Sequence, residues 1–582
     1  MTRPPTLSIL VSSALLTAFL ASAAGAQGAA AARPVSKKSS RPVEVLDIQK
    51  LRAVIVPKNP NTIITCDALV VGGGLGGVAA AEALAGQGLT VVLSEPTSML
   101  GGQLTSQGVS CPDENSFIEK VPGCGTRTYR ELRELLRARY KAMPGLKPGR
   151  EANPGGGWVS RLCAEPMVWK QAIDDQLQPF RSAAGIRDVL LRHQLVEVSR
   201  FPHNGRYHYA DLVDLDSGRI TRVAAKYLLD ATETGEGLEL GGAPWAVGAE
   251  ARGEYGEPNA PEAAKPNWIQ SITYCFGVRW QPEGPRQIVE KPAEYDYFKS
   301  LGEYTLGYDY SDARGRVYYQ VFGKVPGAGG PFWTYRRIAA AANFQGNPEY
   351  AQDLALINWR GNDFHEENPI GKPVSEQIRI LRRAKAFAQG FLYWLQTECP
   401  RDDGGTGYPE MQLDLKAMGS EDGFALQPYV RESRRLKAEF MLTQQHLAPD
   451  PNDANKKWGE EFPDSVGIAL YAMDIHPSKG EPPFLSRALP YHLPLGSFIP
   501  KEGPANLLPA AKNFGASRLA LASARMHPTE WLAGEVAGHL TAFCIKNRVE
   551  PSAVRGTPEL LEKFRQQLKE AGMPLSWKEV LP

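Results

Sequence analysis

Three glycines, Gly72, Gly74 and Gly77, have the spacing that accommodates the pyrophosphate of a dinucleotide. The apolar residues 67–71 before them predict a strand, and the small residues 78–84 after them predict a helix. The first glycine permits a tight turn, the second lets the backbone approach phosphate oxygens, and the third lets helix and strand pack closely. The helix would then direct free N–H groups at the anion.

A carboxylate completes this pattern. The β-type residues 89–94 end at Glu95, which lies 23 residues after Gly72. An acid in this place accepts hydrogen bonds from ribose hydroxyls. Leu75 and Gly76 fill the turn between the glycines. Because strand, turn, helix, second strand and acid follow in order, the sequence predicts a nucleotide-binding Rossmann-like unit.

A second glycine-rich segment follows the acid and contains Gly101, Gly102, Gln103 and Thr105. It resembles the glycine pair after the second strand in flavoproteins of the glutathione-reductase-like superfamily. The resemblance implies FAD, with bare backbone running along the flavin's pyrophosphate and ribityl chain. An enzyme that binds NAD alone is the alternative reading of the first motif.

The chain returns to the predicted sheet in its middle third. Strands are predicted across 188–229 as a β-meander, which leads into the sequence D-A-T-E-T-G at 230–235. This segment resembles the second flavin motif of the superfamily, at the carboxyl end of a core strand where α/β sheets bind ligands. The resemblance implies that Ala231, Thr232 and Gly235 contact the cofactor.

A late strand and helix resemble a third flavin motif. Residues 506–511 predict a short strand, and residues 531–545 predict a small-residue helix that contains Gly534 and Glu535. In the superfamily such a helix presents its N-terminus to the flavin, and its dipole would stabilise an anionic reduced ring. Both residues are therefore expected at the cofactor.

Taken together, residues 66–545 resemble the FAD-dependent oxidoreductase family, which also carries the segments R-E-S-R-R at 431–435 and R-M-H-P-T at 525–529. The resemblance implies an α/β fold, in which a Rossmann-like FAD-binding domain with a β-meander is interrupted by an inserted α+β substrate or cap domain. No histidine lies between Glu95 and Lys120, which argues against a histidyl flavin link there.

The predicted domains follow from these motifs and from composition. They are a signal peptide (1–26), a disordered lead (27–61), the first part of the FAD-binding domain (62–242), the substrate or cap domain (243–488), the last part of the FAD-binding domain (489–550) and a C-terminal helical tail (551–582).

The N-terminus predicts export from the cytoplasm, to the periplasm or as a secreted protein. Residues 7–24 are apolar and end in an A-x-A cleavage pattern at 24–26, although an uncleaved anchor is the alternative. No later run is long enough to span a bilayer. Export permits disulfides, and among seven cysteines the pair Cys111–Cys124 is favoured. A net charge of +1 gives no indication of a nucleic-acid partner.

Flavin oxidation of a substrate needs a base for a hydroxyl or amine proton and a cation near the reduced ring. The candidate bases are His476, His492 and His527, and the candidate cations are Arg431, Arg434 and Arg525. Arg525 is preferred because it lies between the late strand and the late helix, whereas Arg434 has the alternative of pairing with Glu432 or Glu439. No metal site is predicted, since His365-Glu366-Glu367 lacks ligand spacing.

The expected activity is oxidation of a small organic or carbohydrate-like molecule by hydride transfer to FAD. The partners would be that substrate and an electron acceptor, such as oxygen, a quinone or a carrier, that the sequence leaves open. The alternatives are a flavin-containing lyase and a flavin-binding protein without turnover.

Overall fold

A mixed sheet positions the glycine turn. The structure, a computed structural model, describes residues 43–310, 314–450, 453 and 455–581. The strands are β1 (Val43–Asp47), β2 (Arg52–Val56), β3 (Thr62–Val71), β4 (Val91–Glu95), β5 (Ile186–Leu191), β6 (His193–Arg200), β7 (Tyr207–Asp214), β8 (Ile220–Asp230), β9 (Trp245–Ala246), β10 (Ile272–Thr273), β11 (Phe276–Trp280), β12 (Gly307–Asp309), β13 (Arg316–Tyr318), β14 (Arg337–Ala339), β15 (Leu354–Ile357), β16 (Asp363–Phe364), β17 (Met411–Asp414), β18 (Tyr429–Val430), β19 (Arg435–Leu436), β20 (Ser465–Ala469), β21 (Met473–Ile475), β22 (Phe484–Ser486), β23 (Tyr491–Pro494) and β24 (Leu507–Pro509).

The α-helices lie between and after these strands. They are α1 (Leu75–Gly86), α2 (Ser116–Lys120), α3 (Arg127–Lys141), α4 (Pro166–Ser182), α5 (Glu236–Gly241), α6 (Arg252–Tyr255), α7 (Tyr295–Ser300), α8 (Val374–Thr397), α9 (Gln444–Leu447), α10 (Arg518–Ala524), α11 (His527–Asn547), α12 (Pro551–Gly556), α13 (Pro558–Glu570) and α14 (Trp577–Val580).

The central sheet has the order β5-β4-β3-β8-β7-β6, and β24 also pairs with β8. β5, β4, β3, β8 and β24 are parallel, which requires the helical crossovers that the sequence provides. β3 runs beside β8 from the pair Thr62–Thr221 to the pair Val71–Asp230. The carboxyl ends of β3, β8 and β24 therefore meet at one edge, where α/β sheets bind ligands. The predicted Rossmann-like α/β fold is confirmed.

The β-meander is smaller than the sequence indicates. β6, β7 and β8 pair in antiparallel order, whereas β5, which the sequence analysis assigns to the same meander, pairs in parallel with β4. A period-two pattern marks a strand but does not reveal its partner, so sequence alone could not separate these cases.

The prediction of a disordered lead is wrong for residues 43–61. β1 and β2 form an antiparallel hairpin, with Val43 opposite Val56 and Asp47 opposite Arg52. A salt bridge of 2.6 Å joins buried Asp47 to Arg192 and attaches the hairpin to the central sheet. The predicted signal peptide and the start of the lead lie outside the described residues.

The region predicted as a substrate or cap domain contains its own sheets. One has the order β14-β15-β11-β17, another has the order β16-β10-β18, and α8 packs against β10 and β16. Buried aromatic side chains, including Phe276, Trp333, Phe387 and Phe391, fill the core there. The described residues from 43 to 581 form one compact unit, so the boundaries at 242, 488 and 550 stay predictions.

The predicted helical tail is α12, α13 and α14, and these helices pack on the main core through buried Phe564, Leu568 and Trp577. The predicted disulfide is wrong. All seven cysteines lie in the described part of the chain and are free thiols, and Cys111 and Cys124 belong to different apolar clusters. Among the described residues, no helix has both the length and the apolar content to cross a bilayer.

Candidate functional site

The glycine turn connects β3 to α1, and α1 begins directly after Gly74. Gly72 has a φ of +91°, a conformation that L side chains rarely adopt, and a Cβ there would lie 2.2 Å from the Ala231 carbonyl oxygen. A Cβ on Gly77 would lie 1.9 Å from the carbonyl oxygen of Gly72. The turn is thus held against the end of β8, and no side-chain hydrogen bond caps the N-terminus of α1, whose N–H groups can therefore serve an anion.

Glu95 ends β4 and is buried beside the turn. Its Oε2 accepts a hydrogen bond from the Gly73 N–H at 2.8 Å, and its Oε1 accepts from the Thr97 N–H at 3.0 Å and the Thr97 hydroxyl at 2.6 Å. Burial raises the pKa of this carboxyl. With Gly72, Thr232 and Arg434, Glu95 lines a cavity of about 420 Å³, the Glu95 cavity, as a nucleotide ribose site requires.

The second glycine segment lies directly against the first. The Gly101 N–H donates to the Gly73 carbonyl at 2.8 Å, and a Cβ on Gly102 would lie 2.8 Å from the Gly74 Cα. Gly101 and Gly102 both have positive φ values, +107° and +47°. The two glycine segments, 72–77 and 101–102, therefore form one surface of bare backbone, the glycine cradle. Thr105 holds this turn by donating its hydroxyl proton to the Leu100 carbonyl at 2.6 Å.

The D-A-T segment is fixed by Asp230, a residue that the sequence analysis does not single out as functional. Its carboxylate accepts from the Thr232 N–H at 3.0 Å, the Thr232 hydroxyl at 2.7 Å and the Leu238 N–H at 2.7 Å. Burial raises the pKa of Asp230 to about 6. The Ala231 N–H donates to the Val71 carbonyl at 2.8 Å, which joins the ends of β8 and β3. Gly235 directly precedes α5 as its N-cap, has a φ of +70° and packs against Arg434.

Three charged residues that the sequence analysis missed meet above Gly74. The Lys512 Nζ lies 2.5 Å from Glu233 Oε2 and 3.2 Å from Glu530 Oε2. Glu233 Oε1 lies 2.8 Å from the position of a Cβ on Gly74. The positions of Lys512 and Glu233 in the sequence could have indicated this contact. Lys512 follows β24 and Glu233 follows β8, and these two parallel strands end at the same edge of the sheet.

The late helix contacts the glycine turn through Gly534, where a Cβ would lie 1.9 Å from the Gly76 carbonyl oxygen. Gly76 is equally restricted, since its Cβ would lie 1.9 Å from the Ala510 carbonyl oxygen. Glu535 lies on another face, where its Oε1 accepts the Thr128 hydroxyl proton at 2.6 Å. The structure therefore brings Gly534 to the turn as a packing residue and does not bring Glu535 to the Glu95 cavity.

Two of the three candidate bases are bound to the backbone. His527 Nδ1 accepts from the Asp113 N–H at 3.0 Å and its Nε2 lies 2.9 Å from the Val109 carbonyl, while burial lowers its pKa to about 4. His492 accepts from the Trp577 N–H at 3.3 Å, beside the C-terminal helix α14. Their catalytic roles stay predictions that these contacts do not favour.

The third candidate, His476, lies in a charged cluster. Its Nδ1 is 2.5 Å from Asp363 Oδ2, and its Nε2 is 3.3 Å from Asp474 Oδ2. Burial opposes ionisation of Asp474, but the charges of His476 and Arg525 outweigh it and lower its pKa to about 2. Asp363 is likewise buried, and Arg431 and His476 hold its pKa well below the usual range.

Two of the three candidate cations, Arg431 and the preferred Arg525, belong to the same cluster. Arg431 lies 3.0 Å from Asp363 and Arg525 lies 3.5 Å from Asp474, and both are almost completely buried. Tyr429 joins them, because its hydroxyl accepts from Arg525 at 2.7 Å and its ring lies 4.6 Å from the Arg431 guanidinium. Arg434 lies apart and pairs with Glu239, not with the Glu432 or Glu439 that the sequence suggested.

The two parts of the site are linked by Gln103, whose Nε2 donates to the Arg525 carbonyl at 3.1 Å and also to Glu530. Several buried polar atoms along this path have no hydrogen-bond partner among the described residues. They are Gln103 Oε1, Gln107 Nε2, Glu233 Oε1, Glu530 Oε1, Arg431 Nε and Arg525 Nε. Buried polar atoms rarely stay unsatisfied, so a ligand rich in nitrogen and oxygen fits between them. Together with the glycine cradle, these residues fit FAD.

The sheet, the turn and the terminal acid define a dinucleotide-binding protein. The sequence profile of the FAD dependent oxidoreductase family matches residues 67–568, and the chain belongs to this family. The predicted cofactor, FAD, and the predicted enzyme class are confirmed by this match.

Similar solved structures share low identity with the chain. A geranylgeranyl bacteriochlorophyll reductase-like protein from Thermoplasma acidophilum is 13% identical, with a TM-score of 0.29 over 87% of this chain and 84% of that chain. The flavin-dependent monooxygenase PieE, in complex with FAD and substrate, is 13% identical, with a TM-score of 0.27 over 66% of this chain and 52% of that chain. L-proline dehydrogenase from P. horikoshii is 15% identical, with a TM-score of 0.17 over 30% and 24%. The chain thus spans less than two thirds of the last two. No curated protein matches the sequence.

FAD affinity is expected to fall as the pH rises. Burial raises the pKa of Glu233 to about 7, so this carboxyl is neutral in acid and charged in base. Because it lies beside Gly74, its charged form would repel a pyrophosphate, and binding would favour the protonated form. If FAD binding requires this one carboxyl to be protonated, the dissociation constant for FAD should rise about tenfold between about pH 6 and about pH 8. Calorimetric titration of the apoprotein with FAD at both pH values measures this.

Glu233→Gln is the matched control for that titration. The amide keeps the shape of the side chain but has no charge to lose, so the affinity of the variant should change little over the same range. An affinity of the wild-type protein that increases with pH would show that Glu233 does not oppose the diphosphate.

Proposed function

We propose that the protein oxidises a small hydroxyl-bearing molecule, organic or carbohydrate-like, by hydride transfer to FAD. The observation that carries this proposal is the Asp363–His476 pair, in which Asp363 contacts buried Arg431 and His476 lines a cavity. His476 and Asp474 line this cavity, the His476 cavity, of about 80 Å³.

His476 is the base in this proposal. Its Nδ1 is engaged by Asp363, which fixes the ring and stabilises the protonated form that develops when a substrate proton is taken. Its Nε2 is the atom that can take a substrate proton, in the neutral form of the ring and once a substrate hydroxyl replaces Asp474, which lies 3.3 Å away. The hydroxyl proton therefore moves to Nε2, and FAD, when bound, supplies the acceptor for the hydride from the adjacent carbon.

The lining of the His476 cavity supports a polar substrate. Tyr308 and Phe484 offer aromatic surface, while Asp309 and Arg360, which form an ion pair with each other, make part of the lining polar. Sugars and related polyols combine apolar C–H faces with hydroxyl groups, and such a mixed lining suits both. The small volume fits the oxidised end of a substrate and not a whole oligosaccharide.

Arg431 and Arg525 are the positioning and charge-stabilising groups. Both guanidinium groups are buried, and each keeps an unpartnered Nε among the described residues. A buried cation with a free donor stabilises negative charge that develops beside it. This is the property that the reduced, anionic form of a flavin requires, which supports a redox role over a structural one.

Anaerobic mixing of the FAD-loaded protein with a panel of alcohols, aldoses, polyols and amines tests the proposal. The oxidised flavin band is expected to bleach with at least one hydroxyl compound and to return on addition of oxygen or a quinone. Product formation without bleaching would instead support a flavin-containing lyase. No bleaching and no product across the panel would support a binding protein without turnover.

We also propose that the protein acts outside the cytoplasm, with the small-molecule substrate and an electron acceptor as its partners. The apolar residues 7–24 and the A-x-A pattern at 24–26 support export. Mass spectrometry of protein from fractionated cells should find a mature N-terminus at Gln27. Full-length protein confined to the cytoplasm would contradict this.

A further inference from the structure

A second cavity lies away from the residues described so far. It has a volume of about 1180 Å³ and is lined by parts of α1, α3, α4, α11 and α13. It shares no lining residue with the Glu95 cavity or the His476 cavity. We call it the Glu535 cavity, after the residue on α11 that forms part of its wall.

Two buried carboxylates line the Glu535 cavity without an ion-pair partner among the described residues. Glu82 is 6% exposed and Glu535 is 2% exposed. Glu82 Oε2 accepts one hydrogen bond, from Gln176 Nε2 at 2.7 Å, and no described cation pairs with either carboxylate. Arg127 lines the same cavity but lies beyond ion-pair distance of both carboxylates. Because ionised carboxylates in a buried site are normally paired, these two point to a cationic ligand.

The hydrogen-bond directions show that Glu535 acts as an acceptor. The Trp531 indole N–H can only donate, and it donates a hydrogen bond to the Thr128 hydroxyl oxygen at 2.8 Å. The Thr128 hydroxyl is therefore free to donate its own hydrogen bond to Glu535 Oε1 at 2.6 Å. Glu535 Oε2 has no partner among the described residues, and neither has His539 Nδ1 one turn further along α11. One unsatisfied carboxylate oxygen and one unsatisfied imidazole nitrogen thus lie on one wall of the cavity.

The charge of the lining selects the ligand. The carboxylates are Glu82, Glu131, Glu535, Glu559, Glu562 and Glu570, against the two cations Arg127 and Lys563. Burial and the charge of Glu535 raise the pKa of Glu82 to about 8, and burial raises the pKa of Glu535 to about 7, so a bound cation would favour the ionised form of each carboxyl. An anion would be repelled by this set, and a neutral ligand would leave the buried carboxylates unpaired.

We propose that the Glu535 cavity binds an organic polycation, a diamine or polyamine, with one ammonium group between Glu82 and Glu535 and another at the acidic rim formed by α13. An ammonium group carries three donors, which matches the acceptor atoms on the inner wall. Phe180, Ala83 and Ala571 supply apolar surface for the methylene chain between the charges. The volume is sufficient for a chain of this kind.

Calorimetric titration of the full, FAD-loaded chain with spermidine tests this inference. Saturable binding is expected, and Glu82→Gln and Glu535→Gln should each weaken it by about tenfold or more, since each removes a charged acceptor while keeping its shape. Glu502→Gln, at an exposed glutamate outside the cavity, should leave the affinity unchanged.

Thermal unfolding gives a second readout that does not depend on calorimetric heats. Spermidine should raise the unfolding midpoint of the wild-type protein but not that of the variant carrying both Glu82→Gln and Glu535→Gln, because a ligand stabilises only a fold that binds it. Absence of saturable binding, equal binding by the double variant, or equal stabilisation of the protein by magnesium ions would overturn the proposal. None of these outcomes bears on flavin reduction, so the proposed function is tested separately.

Discussion

Replacing Gly74 with alanine is expected to weaken FAD binding by about a hundredfold, or about 2.7 kcal/mol, and to leave the apoprotein folded. The new methyl group would lie 2.8 Å from Glu233 Oε1 and 3.3 Å from Glu530 Oε1, which are ends of side chains that can move. The pyrophosphate has no such freedom, because it must lie against the backbone at the start of α1. Calorimetric titration with FAD measures the loss, and the unfolding midpoint of the apoprotein reports the fold.

Gly76→Ala is the companion variant and should behave in the opposite way. Its methyl group would lie 1.9 Å from the Ala510 carbonyl oxygen, a backbone atom that β24 holds in the central sheet. The expected result is a large loss of apoprotein stability, because strand and helix must separate. Wild-type FAD affinity in Gly74→Ala would show that the cofactor does not approach this turn.

Replacing His476 with asparagine is expected to slow flavin reduction by about a hundredfold to ten-thousandfold, the usual contribution of a general base. The amide can still contact Asp363, but it cannot accept the substrate proton. FAD binding should be unchanged, since His476 lines the His476 cavity and not the Glu95 cavity. Stopped-flow absorbance under anaerobic conditions, with a substrate identified from the panel, gives the rate constant for bleaching.

Two further histidine variants make this measurement specific. His203→Asn changes an exposed histidine that lines neither cavity, and its rate should equal that of the wild-type protein. His492→Asn tests the competing base predicted from sequence. If His492→Asn slows bleaching and His476→Asn does not, then the Asp363–His476 pair is not the base, and the contact between His492 and Trp577 must open during turnover.

The steric roles of residues that lie close together in the chain could be predicted from the sequence. Gly72, Gly74 and Gly77 lie within one turn, and their steric roles follow from the absence of a side chain whatever the rest of the fold does. The start of α3 after Thr126 and of α4 at Pro166 also follow from local capping and proline preferences. By contrast, the hairpin β1–β2 was missed, and the Asp47–Arg192 contact that attaches it to the rest of the fold spans 145 residues, which no local pattern reveals.

The orientation of α11 about its own axis could not be predicted from the sequence. Buried residues occupy every face of this helix from Thr529 to Cys544, so no polar stripe marks the side that faces solvent. Gly534 and Glu535 are neighbours in sequence, yet one touches the glycine turn and the other lines the Glu535 cavity. Successive helical residues are rotated by about 100° about the axis, and only packing against α1 fixes which of them meets the turn.

The sequence by itself determined the cofactor class, because the glycine spacing and the terminal acid act through backbone that is continuous along the chain. Only the tertiary structure decided which charged groups meet. Lys512 reaches Glu233 across 279 residues and His476 reaches Asp363 across 113 residues, since parallel strands and an inserted region return distant segments to one edge. The residue type determines the functional group of a side chain. Its pKa and its partner depend on burial and on distances to other groups, and these are set only when the chain folds.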